Sequence, residues 1–134
     1  MTEKVFIAED NESIRKLLTF KLTKEGFEVS TASDGAEAID VVRKGTFDAY
    51  IIDIMLPKRD GWQTCHELRK EQKSDAPIIM ITAKTDDMSK KVSEKIYHVD
   101  KYITKPFNPS DVVNTVRELI AARQAAGKKQ KTKR

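Results

Sequence analysis

"DAYIIDIMLP", residues 48–57, is an apolar run broken near its middle by one carboxylate, Asp53. Burying a charge costs several kcal/mol unless something pairs with it, so a strand enclosed on both faces should not carry this residue in its interior. The conflict disappears if the strand ends there. Ala49 to Ile52 then form the buried part, and Asp53 is the first residue at an open edge where other groups can compensate its charge.

Four further segments have the same character. "KVFIA" (4–8), "FEVST" (27–31), "PIIMIT" (77–82) and "KYIT" (101–104) read as short strands alongside "AYIID" (49–53), several of them almost continuously apolar, as strands buried on both faces should be. Helical periods lie between them. Ile14, Leu17, Leu18 and Leu22 share a face after Asn11 and Glu12, with Gly26 as the stop. Ala36, Ile39, Val41 and Val42 do so after Ser33 and Asp34, with Gly45 as the stop. A third helix starts near Gly61 and aligns Trp62, Cys65, Leu68 and Arg69; a fourth, over 87–97, has only Met88, Val92 and Ile96 as its stripe. The fifth opens on "NPSD" (108–111), where Asn108 caps, Pro109 needs no N–H and Asp111 faces the positive end of the dipole. Its stripe is Val112, Val113, Val116, Leu119 and Ile120.

Five β-α units in one chain of 134 residues predict an α/β fold: a doubly wound parallel sheet with helices on both faces. Function in such sheets lies outside the carboxyl ends of the strands. Those ends carry Glu9 and Asp10, Asp53, Thr82, and then Thr104, Lys105 and Pro106. Three carboxylates in a small volume repel and raise one another's pKa, which calls for a cation among them. Oxygen-only ligands select a hard cation such as Mg²⁺, while a lysine and a hydroxyl suit a phosphoryl group.

Composition sets the outer bounds. Hydrophobic residues at 39% and charged residues at 34% are ordinary for a globular protein, and the apolar runs are too short to span a bilayer. The start "MTEKVFIAED" has neither a secretory h-region nor an Arg-rich transit pattern, and the single Cys65 suits a reducing compartment, so a cytoplasmic location is expected. The net charge of +4 is not spread evenly: "GKKQKTKR" (127–134) carries +5, which leaves −1 for residues 1–126. Residues 123–134 read as a basic, disordered tail or linker, after a domain spanning 1–122.

Four motifs, "IAEDNESIRKLL" (7–18), "IIDIMLPKRDGW" (51–62), "IIMITAK" (78–84) and "DKYITKPF" (100–107), fall in order at the ends of the right strands. Through them the chain resembles the receiver domain of two-component response regulators, the CheY-like superfamily, over residues 3 to about 122. The resemblance implies a flavodoxin-like (βα)5 fold with strand order 2-1-3-4-5. It implies that Asp53 accepts a phosphoryl group from a sensor histidine kinase, a phosphotransfer protein or a small phosphodonor. Mg²⁺ would be held by Glu9, Asp10, Asp53 and the backbone carbonyl of Met55, and the phosphoryl oxygens by Lys105, Thr82 and the N–H of Ala83. A cis Lys105–Pro106 bond is expected with it. Thr82 and Tyr102 would form the switch, shifting the surface made by the helix at 87–97, the fifth strand and the last helix to control a downstream protein or effector domain. Such a domain is a regulatory phosphoacceptor that assists its own phosphorylation and dephosphorylation, not an enzyme with a separate substrate. Nucleic acid would be contacted only by an output domain outside this sequence, or weakly by the tail.

Other residues have plainer readings. Asp60 reads as a turn or cap residue, Trp62 as packing against the neighbouring loop, and His66 and His98 as surface histidines. Lys84 and Met55 read as ordinary loop residues or, as the resemblance implies, as residues that line the approach to the phosphate and tune its lifetime. "SEKIYHV" (93–99) departs from the family pattern by lacking its frequent Gly-Ala pair, and Lys90, Lys91, Lys95 and Lys101 make that side basic, which argues against a symmetric dimer there. A phosphatase with an aspartate nucleophile would want a second Asp at the position of Met55.

Overall fold

The computed structural model describes residues 2–83 and 97–132, with side chains through 126. In chain order they form β1 (Lys4–Ala8), α1 (Glu12–Lys24), β2 (Glu28–Ala32), α2 (Gly35–Lys44), β3 (Ala49–Asp53), α3 (Gly61–His66), β4 (Ile78–Thr82), β5 (Lys101–Thr104) and α4 (Pro109–Thr132). All strand pairs are parallel and the order is β2-β1-β3-β4-β5, as the resemblance implies. The helix read over 87–97 lies outside the described residues except for Tyr97, as do Lys84, Lys90, Lys91 and Lys95.

The apolar strands divide their side chains by parity between two cores. Phe6, Ala8, Tyr50, Ile52, Ile78 and Met80 pack with Ala38 and Val42 of α2 and Cys65 of α3. Val5, Ile7, Ala49, Ile51, Ile79 and Ile81 pack instead with Leu18 and Leu22 of α1 and Val112, Val116 and Ile120 of α4. Every side chain of β3 is buried, Asp53 included, so this strand has no solvent face. Helix starts follow the sequence signals: Asn11, Asp34 and Asp60 each accept a backbone N–H three residues on. At the head of α4, Asn108 accepts the N–H of Ser110 at 2.9 Å.

Two helix faces differ from their sequence reading. Leu17 is 44% exposed, because α1 turns Leu18 and Leu22 to the sheet and leaves Leu17 and Phe20 on its outer side. The buried line of α2 is Gly35, Ala38 and Val42, with Ala36, Ile39 and Val41 only partly covered. At its other end, the C-terminal helix continues through Thr132, across residues set apart by sequence as a basic tail or linker. Arg123 pairs with Asp75 at 2.6 Å and Gln124 donates to Glu3 at 3.1 Å, which ties the helix to the body beyond residue 122.

After α3 the helix widens into a π-type turn at Glu67–Glu71, with the N–H of Gln72 on the carbonyl of Glu67 at 2.9 Å. It carries Arg69, whose side chain is only 8% exposed. The guanidinium donates to the carbonyls of Ser74 and Ala76 at 3.0 and 2.7 Å and to those of Tyr97 and His98 at 2.7 and 3.0 Å. It also donates to Asp100 Oδ2 at 3.2 Å, and that oxygen takes the N–H of Ile78 at 2.8 Å. One side chain thereby joins the entries to β4 and β5. His98 in this corner has φ +52, a region that side-chain-bearing residues seldom enter.

Candidate phosphoacceptor site

The site is built where β1, β3 and β5 stop. The N–H of Glu9 still bonds the carbonyl of Ala32, so Glu9 is held as a continuation of β1 and is fully buried. Asn11 then starts α1, and its own N–H donates to Glu9 Oε2 at 3.0 Å. Arg15, one turn into α1, donates to the carbonyls of Glu9 and Asp10 at 2.9 and 3.4 Å, which fixes the acidic pair from behind. Asp10 stays exposed at the mouth.

Asp53 closes β3 at 3% exposure. Its Oδ1 accepts the N–H of Met55 at 2.8 Å and its Oδ2 accepts from Lys105 Nζ at 2.7 Å. The chain then loops out and returns: the N–H of Gly61 bonds the carbonyl of Ile54, and a Cβ on Gly61 would lie 2.3 Å from the carbonyl oxygen of Asp53. Only glycine allows α3 to start this close to the aspartate. A second glycine secures the loop from α2. The N–H of Gly35 donates to Pro57 at 3.0 Å, and Lys58 Nζ lies 3.4 Å from Asp34.

Lys105 arrives from β5. Its N–H bonds the carbonyl of Thr82 at 2.8 Å, which aligns the ends of β4 and β5, and its bond to Pro106 is cis. The ammonium sits 2.7 Å from Asp53 and 2.8 Å from Glu9 Oε1. The second contact is an ion pair out of line for a hydrogen bond, so Glu9 Oε1 is buried without one. Oxygens of Glu9, Asp10 and Asp53 all lie within 4.8 Å of one another. Three carboxylates and one ammonium leave an excess of negative charge, and Glu9 Oε1 is buried there with an ion pair but no hydrogen bond. Those residues fit a hard divalent cation.

Thr82 ends β4 at 6% exposure, next to β3 in the sheet. Tyr102 lies two residues before the end of β5, opposite Met80, half-buried. Met55 is 72% exposed and reaches the site through its N–H. Asp60 caps α3, and His66 and His98 are at the surface. Sequence reasoning did not single out Arg15, Gly35 or Arg69 as supports, since each acts on backbone carbonyls, which carry no residue-type signal.

Burial pushes the Glu9 carboxyl up to about 7, against the attraction of the Lys105 ammonium 2.8 Å away. For Lys105, burial alone would lower the pKa, but the hydrogen bond to Asp53 and the ion pair with Glu9 outweigh it and raise it. A Glu whose folded pKa lies above its ordinary 4.5 stabilises the fold fully below that value, and the contribution is lost as pH rises toward about 7. In chelator, the melting temperature is therefore expected to fall through this group between about pH 4.5 and about pH 7. Mg²⁺ should flatten the fall by replacing the proton, and so should Glu9→Gln. Thermal unfolding across pH, with and without Mg²⁺, checks this.

A family profile described as the response regulator receiver domain matches residues 5–117. A probable transcriptional regulator, ycf27 of Guillardia theta, is 42% identical over 88% of this chain and 45% of its own length. The alkaline phosphatase synthesis transcriptional regulatory protein PhoP of Bacillus subtilis is 38% identical over 94% of this chain and 52% of its own. The chain thus spans about half the length of the curated relatives it matches. Among solved structures, chemotaxis protein CheY4 of Vibrio cholerae superposes with a TM-score of 0.80 at 32% identity, covering 89% of this chain and 99% of that one. With the motifs, the strand order and the carboxylate edge in agreement, the chain belongs to the receiver domains of two-component response regulators.

Proposed function

We propose that the chain is a phosphorylation-activated switch in which Asp53 accepts a phosphoryl group from a sensor histidine kinase, a phosphotransfer protein or a small phosphodonor. The observation that carries this reading is the contact of Lys105 Nζ with both Asp53 and Glu9, inside a cluster of three carboxylates. An Asp53 oxygen attacks phosphorus and forms an O–P bond. The bond from phosphorus to the donor breaks, and the donor leaves as imidazole or as a carboxylate. Lys105 holds the phosphoryl oxygens as a point charge, and Thr82 and the N–H of Ala83 hydrogen-bond them. Glu9, Asp10, Asp53 and the carbonyl of Met55 hold Mg²⁺, which supplies neutralising charge for the carboxylates and the donor's oxygens when bound.

Output follows from Thr82 moving toward the phosphoryl group and Tyr102 turning inward after it. The surface formed by segment 87–97, β5 and α4 then changes its affinity for a partner or an output domain. Lys84 and Met55 tune the phosphoryl lifetime, residues 123–134 serve as a basic tail or linker, and the setting is cytoplasmic. No helix among the described residues is long and apolar enough to cross a membrane.

Incubation with Mg²⁺ and a small acyl phosphate is expected to add one phosphoryl group, read by intact mass, and Asp53→Asn is expected to add none. An adduct that persists in Asp53→Asn would overturn the assignment. Turnover of phosphomonoesters would favour a phosphatase, and absence of any adduct would favour a constitutive binding module.

A further inference from the structure

Three aromatic rings from different parts of the chain meet beside the switch residue. Trp62, in the first turn of α3, stacks on Tyr97 with centroids 6.3 Å apart and planes 26° from parallel. The same indole meets Tyr102 of β5 at 6.3 Å and 59°. All three are partly buried against the core that covers α2 and α3.

Tyr97 is tied down at its backbone. Arg69 takes the carbonyls of Tyr97 and His98 and the carboxylate of Asp100, so the approach to β5 is fixed to the end of α3. His66, also on α3, meets the Tyr97 ring edge-on at 6.0 Å. Trp62 stands next to Gly61, which packs against the carbonyl of Asp53. The stack therefore has a fixed side, Arg69 and Tyr97, and a side in contact with the residue that moves in the proposed switch.

We propose that Trp62 and Tyr97 are positioning residues for this switch: their stack holds Tyr102 in the place it occupies while Lys105 is bonded directly to Asp53. The proposal rests on the phosphoacceptor reading above. In the proposed switch Tyr102 leaves the contact with Trp62 that it makes here, so the stack opposes the phosphorylated state, and α3 feels the switch as well as the surface beyond β5. Favourable aromatic pairs are weak enough to be broken by a ligand and strong enough to bias two states.

Trp62 is the only tryptophan, so its emission reports the stack directly. The test titrates the full chain in Mg²⁺ with beryllofluoride, a mimic of the aspartyl phosphoryl group, by fluorescence and by isothermal titration calorimetry. The parent's Trp62 emission is expected to change on binding. Trp62→Leu and Tyr97→Leu should each tighten beryllofluoride binding by about twofold to tenfold, the range one aromatic pair contributes. The double variant should tighten no more than the larger single one, and Trp62→Phe, which keeps a ring, should stay within about twofold of the parent. If Trp62→Leu fails to fold, Tyr97→Leu and Trp62→Phe still decide. Unchanged affinity in the leucine variants, or a parent that binds calorimetrically with no change in emission, overturns the stack's role alone. A parent that binds no beryllofluoride overturns the phosphoacceptor reading and this proposal with it.

Discussion

Arg69→Ala is expected to lower the unfolding free energy by about 3–5 kcal/mol, measured by urea denaturation, the largest stability loss we foresee for one side-chain truncation here. The guanidinium is nearly buried and donates to four backbone carbonyls and one carboxylate. Removing it leaves those carbonyls without their donor and frees Asp100 from its cation, although Asp100 keeps the N–H of Ile78. Arg69→Lys should recover little, because a single ammonium cannot reach acceptors on two loops in the directions a planar fork can. A domain of this size is stabilised by about 5–15 kcal/mol, so the alanine variant is expected to lose a large share of its stability. A loss under about 1 kcal/mol would show that these bonds merely replace equally good ones to water.

Gly35→Ala is expected to cost about 3 kcal/mol and also to weaken divalent binding at a site it does not touch. A Cβ at this position would fall 1.6 Å from the carbonyl oxygen of Arg59 and 2.4 Å from its carbon, and both are backbone atoms. The loop from Ile54 to Asp60 must then lift away from α2, breaking the bond from Gly35 N–H to Pro57. Met55, whose N–H holds Asp53, is on that loop. Calorimetric titration with Mg²⁺ should show the loss of affinity at temperatures where circular dichroism still shows a folded protein. Unchanged Mg²⁺ affinity in a folded variant would mean that the loop's position does not matter to the cation.

What the sequence made legible was whatever depends on local pattern. The strands at 4–8, 49–53 and 101–104 match their readings end to end, the one read at 27–31 is shifted by one residue at both ends, and the one read at 77–82 starts one residue later. Strand ends could be read because charged residues are excluded from strand interiors, so Glu9, Asp53 and Lys105 mark where β1, β3 and β5 stop, although Glu9 and Asp53 are themselves buried. Their meeting at one edge follows from parallel topology alone. Leu17 escaped because α1 offers more leucines than its buried stripe needs, and only tertiary packing chooses among them. The Arg69 corner and the approach of Gly35 to Arg59 escaped for another reason. Their partners are mostly backbone atoms, which leave no residue-type signal. The run "AARQAA" (121–126) has high helix propensity, yet the charge pattern after it drew the reading toward a tail; the helix continues through both.

The pairing of Lys105 with Asp53 closes a span of 52 residues, and the lysine follows β5, the last described strand in chain order and an edge of the sheet. Folding must therefore bring together chain segments of large separation before the two charges can meet, and non-local pairing of this kind is slow relative to helix formation. During synthesis the aspartate leaves the ribosome well before its lysine, and for that interval it is an ordinary surface carboxylate among others. A nascent or half-folded chain, with β5 not yet docked on β4, has an acidic edge and no cation of its own. Completeness of the fold and competence of the site are in this way reported by the same ion pair.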